Sequence, residues 1–399
     1  MGTNLSLPVS TQTLQYAAEE FGTPVYVTDS ETVRDRYSEM SDAFPDARIQ
    51  YAAKANTNPR ILEVLRDEGA AVDAVSLGEV VAAEKAGFEP DEIMYTGVNP
   101  PEEELRRVIE KDVRLNADSV SGIERIAEID PGREIGIRVN PSVGAGHHEK
   151  VITGGEGSKF GVPEEAIVEA YERADEVGLE AVGVHMHIGS GVTQREPFER
   201  AAEKMGEIVG RIEDAGYKME YIDVGGGVGV PYRPGDDRPD LSGIADGIRE
   251  GLGTESRDAE LIVEPGRFLV AESTVLLTRV NTVKDGFVGV DAGFNTLLRP
   301  AMYDAYHHIT NLSRDAPERE VDVVGPICET GDVLGEDRRI ADPREGDLLA
   351  IHTAGAYGFS MSSRYNSRRL PAEAMVSNRG LELIRQRETF DDVFGKVVE

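Results

Sequence analysis

Short apolar runs recur along the chain at 48–53, 70–75, 92–95, 112–115, 135–139, 181–188, 220–224 and 261–264. Amphipathic segments such as Arg60–Glu68, Leu77–Ala86, Glu102–Glu110 and Pro197–Ala215 separate them. Runs this short and this apolar read as strands buried on both faces, an environment that needs parallel pairing with helices as cover. Eight strand candidates alternating with helices, over roughly 250 residues, give the pattern of an α/β (β/α)8 barrel of the TIM type. Past Glu264 the period changes. Thr274–Val283, Phe287–Val290, Val321–Val324 and Asp347–His352 are β-branched runs set off by Gly, Pro and Asp, with few convincing helices until Leu381–Arg387. The expected organisation is therefore a barrel over 27–270, followed by a β-rich second domain made of 1–26 plus 271–399. Near the start, a helix is expected around Leu14 to Phe21, a strand at Pro24–Thr28, and a second helix running to Met40 after the N-cap Asp29-Ser30.

The length of 399 residues suits two domains and a large core. The charge balance narrows the partners. Against 74 acidic residues stand 42 basic ones, a net charge of −32, and the isoelectric point is near 4.6. A surface of that sign repels nucleic-acid phosphates and anionic membranes, so neither is expected as a partner. The acid is dispersed, and nine lysines stand against 33 arginines. That combination suggests a halophilic protein, in which carboxylates hold water at the surface while salt screens their mutual repulsion. One cysteine, Cys328, excludes an intrachain disulfide and fits a reducing cytoplasm. There is no basic segment leading into an apolar one at the N-terminus, and no run of about 18 apolar residues, so neither secretion nor membrane spanning is expected.

On the barrel reading, the polar residues gather at one end. Lys54 follows strand one, Asp73 and Ser76 strand two, Asn140 strand five, His185 and His187 strand six, Gly225-Gly226-Gly227 strand seven, and Glu264-Pro265-Gly266-Arg267 strand eight. All fall on the C-terminal rim, where barrel active sites lie. A random scatter would place about half at the other rim. Lys54 closes the run Ile49–Ala53. A desolvated lysine loses preference for its ammonium form, and a neutral amine can form a Schiff base with an aldehyde; the rival reading is a surface lysine past a strand. The glycines could form a dinucleotide loop, but Pro231 and the polar Arg233–Asp240 stand where a helix should begin. Their backbone N–H groups can cradle an anion directly. His185 and His187 would share one face of a strand, the spacing of a metal pair. With no nearby cysteine or acid at ligand spacing, an imidazole stacked on a flat ring is preferred, and no metal is expected. His147-His148 reads as a solvated pair in the glycine-rich Gly144–Gly157, the best candidate for a mobile loop. Glu264, at the end of Leu261-Ile262-Val263, would be a costly buried carboxylate without a cationic partner, which a protonated pyridine nitrogen would supply.

These residues form longer motifs. Tyr51-Ala52-Ala53-Lys54-Ala55-Asn56, Val72-Asp73-Ala74-Val75-Ser76-Leu77-Gly78-Glu79, His185-Met186-His187-Ile188-Gly189-Ser190, the triple glycine and Glu264-Pro265-Gly266-Arg267 resemble those of the pyridoxal-phosphate decarboxylases of the alanine-racemase fold. Arg299–His307, Gly325-Pro326-Ile327-Cys328-Glu329-Thr330-Gly331-Asp332 and Ala354–Asn366 are similar to the members that act on diaminopimelate. The resemblance spans roughly residues 20–385. It departs at Ser367-Arg368-Arg369-Leu370-Pro371, where the family usually has a proline directly after the first arginine.

The resemblance implies decarboxylation of meso-2,6-diaminopimelate to L-lysine and CO2, the last step of lysine biosynthesis, with pyridoxal 5'-phosphate held by the barrel. It implies that Lys54 carries the cofactor, with Asp73 beside it, and that His187 stacks on the ring. It further implies that Gly225, Gly226, Gly227, Pro265, Gly266, Arg267 and Tyr357 hold the phosphate region, and that Glu264 pairs with the ring nitrogen. A protonated ring draws electrons from the carbanion left by CO2, so that contact favours the transition state. For the substrate, Arg267 and Arg299 can bind carboxylate bidentately, Tyr303 and Tyr357 add hydroxyls, and Glu329 can meet the distal ammonium. The resemblance also implies that Cys328 and Glu329 reach the site from a second subunit, Cys328 as the acid that reprotonates Cα. The unit would then be a homodimer with shared active sites; the bland reading of Cys328 is a small buried apolar residue.

Overall fold

The computed structural model describes residues 6–146, 148, 159–253 and 258–398. The chain divides into two compact units, one of Arg36–Gly229 with Pro239–Gly266, the other of Met1–Asp35, Val230–Arg238 and Arg267–Glu399. Much of the expected loop Gly144–Gly157, including His147, lies outside the described residues.

Strand β1 is Val25–Asp29. The first unit holds β2 (Ala47–Ala52), β3 (Ala71–Ala74), β4 (Ile93–Tyr95), β5 (Arg114–Ala117), β6 (Glu134–Asn140), β7 (Glu180–His185), β8 (Tyr221–Asp223) and β9 (Glu260–Val263). Each pairs in parallel with the next and β9 returns to β2, so the eight strands close a barrel. Helices Pro59–Asp67, Leu77–Lys85, Glu102–Ile109, Val120–Ile129, Ile167–Glu176, Glu196–Asp214 and Leu241–Leu252 lie between them in the chain. Their starts are written locally. The Asn58 side chain accepts from Arg60 N at 3.0 Å with Pro59 as the first helical residue, and the Ser76 hydroxyl accepts from Glu79 N at 3.3 Å. Such caps satisfy N–H groups that the helix leaves open. Ser76, placed on the rim by the sequence reading, is thus a helix cap.

The barrel is filled by side chains. Tyr221, buried in β8, donates from its hydroxyl to Asn116 Oδ1 at 2.8 Å. Its ring fits because Gly183 of β7 has no Cβ, which would stand 2.2 Å from the ring. The parallel register aligns the strand ends, pairing Asp73 with Ala52 and Asp223 with His185. Strand β7 stops at His185, three residues short of the expected 181–188, and Met186 N instead reaches the Asp223 carbonyl at 2.9 Å.

The second unit is built on a nine-stranded sheet. Strands β10 (Thr274–Lys284), β11 (Phe287–Val290), β12 (Ile309–Asn311), β13 (Glu318–Val324), β14 (Val333–Ala341), β15 (Leu348–Ile351), β16 (Ala372–Ser377) and β17 (Gly380–Arg385) join β1 in it. The spatial order is β14-β13-β11-β10-β1-β16-β17, with β15 pairing β10 and β12. Alternating residues of β10 feed two apolar clusters, Leu276 with Tyr26, Leu349 and Ile351, and Leu277 with Leu14, Val27 and Ala350. Burying each large side chain of this kind contributes about 1.5–3 kcal/mol.

Two expectations change here. Leu381–Arg387, read as a helix, is largely β17: Ser377 pairs with Gly380 across a tight turn, and Leu381 and Leu383 pair with Val376 and Ala374. Tertiary pairing overrides the residues' helix propensity. The expected domain limits of 27–270 and 1–26 plus 271–399 cut through β1, which pairs with β10 over Val25–Thr28 and with β16 over its whole length, and residues 230–238 group with the β-rich unit.

Candidate active site

In the barrel unit, Lys54 sits on the 3-10 turn Ala53–Ala55 that ends β2, a turn fixed by the Tyr51 hydroxyl donating to the Asn56 carbonyl at 3.0 Å. Lys54 Nζ donates to Asp73 Oδ2 at 2.6 Å. Asp73 is 1 % exposed, and burial, followed by the charge of Glu264, raises its pKa while Lys54 opposes the rise. A buried carboxylate facing an amine at this distance keeps the amine on the inner side of the barrel. Asn140, expected on the same rim, accepts from Ser142 N at 3.1 Å and shapes the turn after β6.

His185 and His187 do not share a strand face, because β7 has ended. His185 is 1 % exposed with Nε2 3.4 Å from Glu264 Oε1. Burial alone would raise the Glu264 pKa, but His185 and then Lys54 outweigh it and hold the carboxyl well below the usual range. Neighbouring protein groups thus already favour the ionised carboxylate. Asp223 ends β8 and accepts from Gly225 N at 2.8 Å, and burial followed by the Glu264 charge pushes its pKa well up. The sequence reading found no acid near the histidines, yet ligating atoms of His185, Asp223 and Glu264 lie within 4.8 Å of one another. His187 plays a different part. Its Nδ1 accepts from Gly226 N at 3.2 Å, and burial followed by Lys54 lowers its pKa to about 3, so the imidazole is neutral.

The glycine run is enforced by close approach. A Cβ on Gly225 would stand 2.3 Å from the Met186 carbonyl oxygen, and one on Gly226 would stand 1.9 Å from that of Glu264. No helix follows directly; the next begins at Leu241. The run is therefore a backbone cradle and not a dinucleotide turn. Gly266 packs closely but less tightly, with Cβ space limited by Ala52 at 3.1 Å and Ala55 at 3.2 Å, and the Pro265 carbonyl accepts from Ala52 N at 3.2 Å.

In the β-rich unit, two buried guanidiniums meet on one tyrosine. Arg267, which opens the short helix Arg267–Val270, donates to the Tyr232 hydroxyl at 2.7 Å and lies 5.0 Å from the Tyr357 ring centroid. Arg299, 2 % exposed at the start of the helix Arg299–Tyr303, lies 4.6 Å from the Tyr232 ring centroid and 2.8 Å from His307 Nε2. A guanidinium only donates, so His307 Nε2 accepts and the ring proton is on Nδ1, directed at the His352 carbonyl at 2.9 Å. Burial would raise the Tyr232 pKa, but Arg267 and then Arg299 outweigh it and lower it. Tyr303 and Tyr357 are half-buried, while Cys328 and Glu329 are exposed. The Tyr365 hydroxyl donates to Glu329 Oε1.

Tyr232, Asp223 and His307 were not singled out from the sequence. An acid closing an apolar run, the signal that found Glu264, also marks Asp223. Tyr232 stands in a polar, aperiodic segment that carries no such signal.

An amine on a strand end, a carboxylate below it, a neutral imidazole and a glycine cradle on a barrel rim define a pyridoxal-phosphate site. Residues 30–271 match the family model for the pyridoxal-dependent decarboxylase, pyridoxal binding domain. A diaminopimelate decarboxylase of Methanothermobacter thermautotrophicus is 48% identical over 396 residues, covering 94% of this chain and 92% of the relative. One of Aquifex aeolicus is 41% identical over 389 residues, covering 95% and 92%. The structure of the Helicobacter pylori diaminopimelate decarboxylase complexed with L-lysine superposes with a TM-score of 0.91 at 35% identity, covering 96% of this chain and 98% of that one. The chain belongs to the diaminopimelate decarboxylase family.

The residues present fit pyridoxal phosphate. Glu264 Oε1 and Asp73 Oδ1 are buried without a hydrogen bond among the described residues. The cradle's close backbone packing is possible only because Cβ atoms are absent. Lys54 supplies the amine that an aldehyde requires.

Proposed function

We propose that this protein decarboxylates meso-2,6-diaminopimelate to L-lysine and CO2, the last step of lysine biosynthesis, using pyridoxal 5'-phosphate. The observation that carries the substrate reading is Arg299: a buried cation whose close partners are a histidine ring and a tyrosine ring, with no carboxylate in ion-pair reach among the described residues. A buried guanidinium with neutral neighbours calls for an anionic ligand, and a diamino diacid brings one at its far end. Ornithine and arginine do not.

When bound, the cofactor supplies an aldehyde for the substrate's amino group and a ring that takes up the electron pair left when CO2 departs. Lys54 carries the cofactor through its amine, held at Asp73. Glu264, kept anionic, holds a proton at the ring nitrogen. His187, neutral, covers the ring face. Gly225, Gly226, Gly227, Pro265, Gly266, Arg267 and Tyr357 hold the phosphate region. Arg267, Arg299, Tyr303 and Tyr357 bind the substrate, and Glu329 meets its distal ammonium. The Cys328 thiol gives its proton to Cα, forming a C–H bond and leaving a thiolate. Cys328 and Glu329 act from a second copy of the chain, so the working unit is a homodimer with shared sites. The enzyme is cytoplasmic and adapted to high salt; no helix among the described residues is long and apolar enough to cross a membrane.

Measuring CO2 release from diaminopimelate, ornithine and arginine side by side tests the reading. Diaminopimelate should exceed the others by at least about 30-fold in kcat/KM, since removing one charged contact from a buried site costs about 2–5 kcal/mol. Comparable rates on ornithine would refute it.

A further inference from the structure

Between β13 and β14 the chain makes a turn whose tip, Cys328-Glu329-Thr330-Gly331, is exposed while its stems, Ile327 and Asp332, are buried. The Asp332 carboxylate does not point to solvent. Oδ2 accepts from Ile327 N at 2.6 Å, the residue before Cys328, and Oδ1 accepts from Phe294 N at 2.6 Å. Its backbone closes the same turn, with Asp332 N donating to the Glu329 carbonyl at 3.1 Å and Gly325 N donating to the Asp332 carbonyl at 2.9 Å. Two glycines make room for the carboxylate. A Cβ on Gly325 would stand 2.3 Å from Oδ2, and one on Gly293 would stand 2.8 Å from either oxygen. Phe294, tied to Oδ1 through its N–H, stacks on Tyr365 with ring centroids 5.6 Å apart, and Tyr365 is the residue that donates to Glu329.

We infer that Asp332 is a positioning residue, one carboxylate that fixes the backbone beneath Cys328 through Ile327 and the side chain of Glu329 through Phe294 and Tyr365. The inference rests on the reading of Cys328 and Glu329 given above. Both residues are exposed and would wander on a free turn. Clamping both stems to one buried anion fixes the thiol and the carboxylate relative to each other without a contact to either side chain. Charge-assisted bonds to two backbone N–H groups are stronger than neutral ones, which suits a clamp with few other partners.

The test uses the holoenzyme with Asp332→Ala and Asp332→Asn. Because Cys328 is the only cysteine in the chain, iodoacetamide alkylation followed by mass spectrometry reads its environment alone. Displacing a reacting group by about 1 Å can cost about 100-fold, so Asp332→Ala should lose about 100-fold in kcat with KM within about threefold. Asp332→Asn keeps the volume and one acceptor oxygen. It should retain about tenfold more activity than the alanine variant, as one of the two bonds survives in neutral form, and it keeps the test readable should the alanine variant not fold. In both, the alkylation rate should change while cofactor absorbance and thermal midpoint stay near those of the parent. Turnover within about twofold of the parent in Asp332→Ala, or loss of turnover that merely follows loss of cofactor and fold with alkylation unchanged, overturns the inference. Cys328→Ala, run alongside, separates the two readings. Normal turnover there removes the role of Cys328 and the inference with it, whereas loss there beside normal turnover in Asp332→Ala overturns the clamp alone.

Discussion

At the scale of single residues, the barrel rim keeps unlike charge states side by side. Glu264 stays anionic against its burial, with His185 3.4 Å away, while Asp223, next to the same carboxylate, is driven toward its protonated form. Two buried anions in contact are costly, so one gives way. His187 illustrates the linkage to stability. Its folded pKa is depressed to about 3 from the ordinary 6.5, chiefly by burial. The unfolded chain takes up the proton first as pH falls, so the stability this neutral ring carries is complete above about 6.5 and declines as pH drops toward about 3. The thermal midpoint of the cofactor-free protein should fall across that window, and His187→Gln should flatten the slope. An unchanged slope in the variant would show that other groups govern the acid limb.

At the scale of elements, the placement of chemistry follows from where strands stop. Parallel register brings His185 and Asp223 to the last positions of their strands and Asp73 to the last position but one. The segment after β8 can then pass within van der Waals contact of two other strand ends. Gly226→Ala tests how tight that passage is. With the new methyl 1.9 Å from the Glu264 carbonyl oxygen, one of two backbones must move. The variant should lose about 1–3 kcal/mol of stability, the usual cost of overpacking, and bind pyridoxal phosphate at least about tenfold more weakly, a difference of about 1.4 kcal/mol. Absorbance titration of the cofactor-free variant measures the second effect, and unaltered affinity would mean that the cradle is not the phosphate site.

At the scale of the whole molecule, a net charge of −32 and the proposed sharing of active sites make a joint prediction. Lys54→Ala and Cys328→Ala variants, each inactive, should recover some activity when mixed in molar salt, because a mixed dimer carries one intact site. Dialysis of the same samples into dilute buffer should cost structure as unscreened repulsion grows. No recovery despite demonstrated subunit exchange would count against sharing, and full structure without salt against the adaptation. The barrel, the polar residues on its rim and the family were legible in the sequence, since strand period, strand ends and unbroken motifs are local properties of the chain. Lys54, His187, the glycine run and Glu264 were picked out that way as candidates. The helix expected at Leu381–Arg387 became an edge strand because a pairing with β16, set by the sheet, outweighed local propensity. The approach of His185 to Glu264, the raised pKa of Asp223 and the stacking of Arg299 on Tyr232 are likewise invisible along the chain, since each joins residues remote in sequence that only the fold brings together.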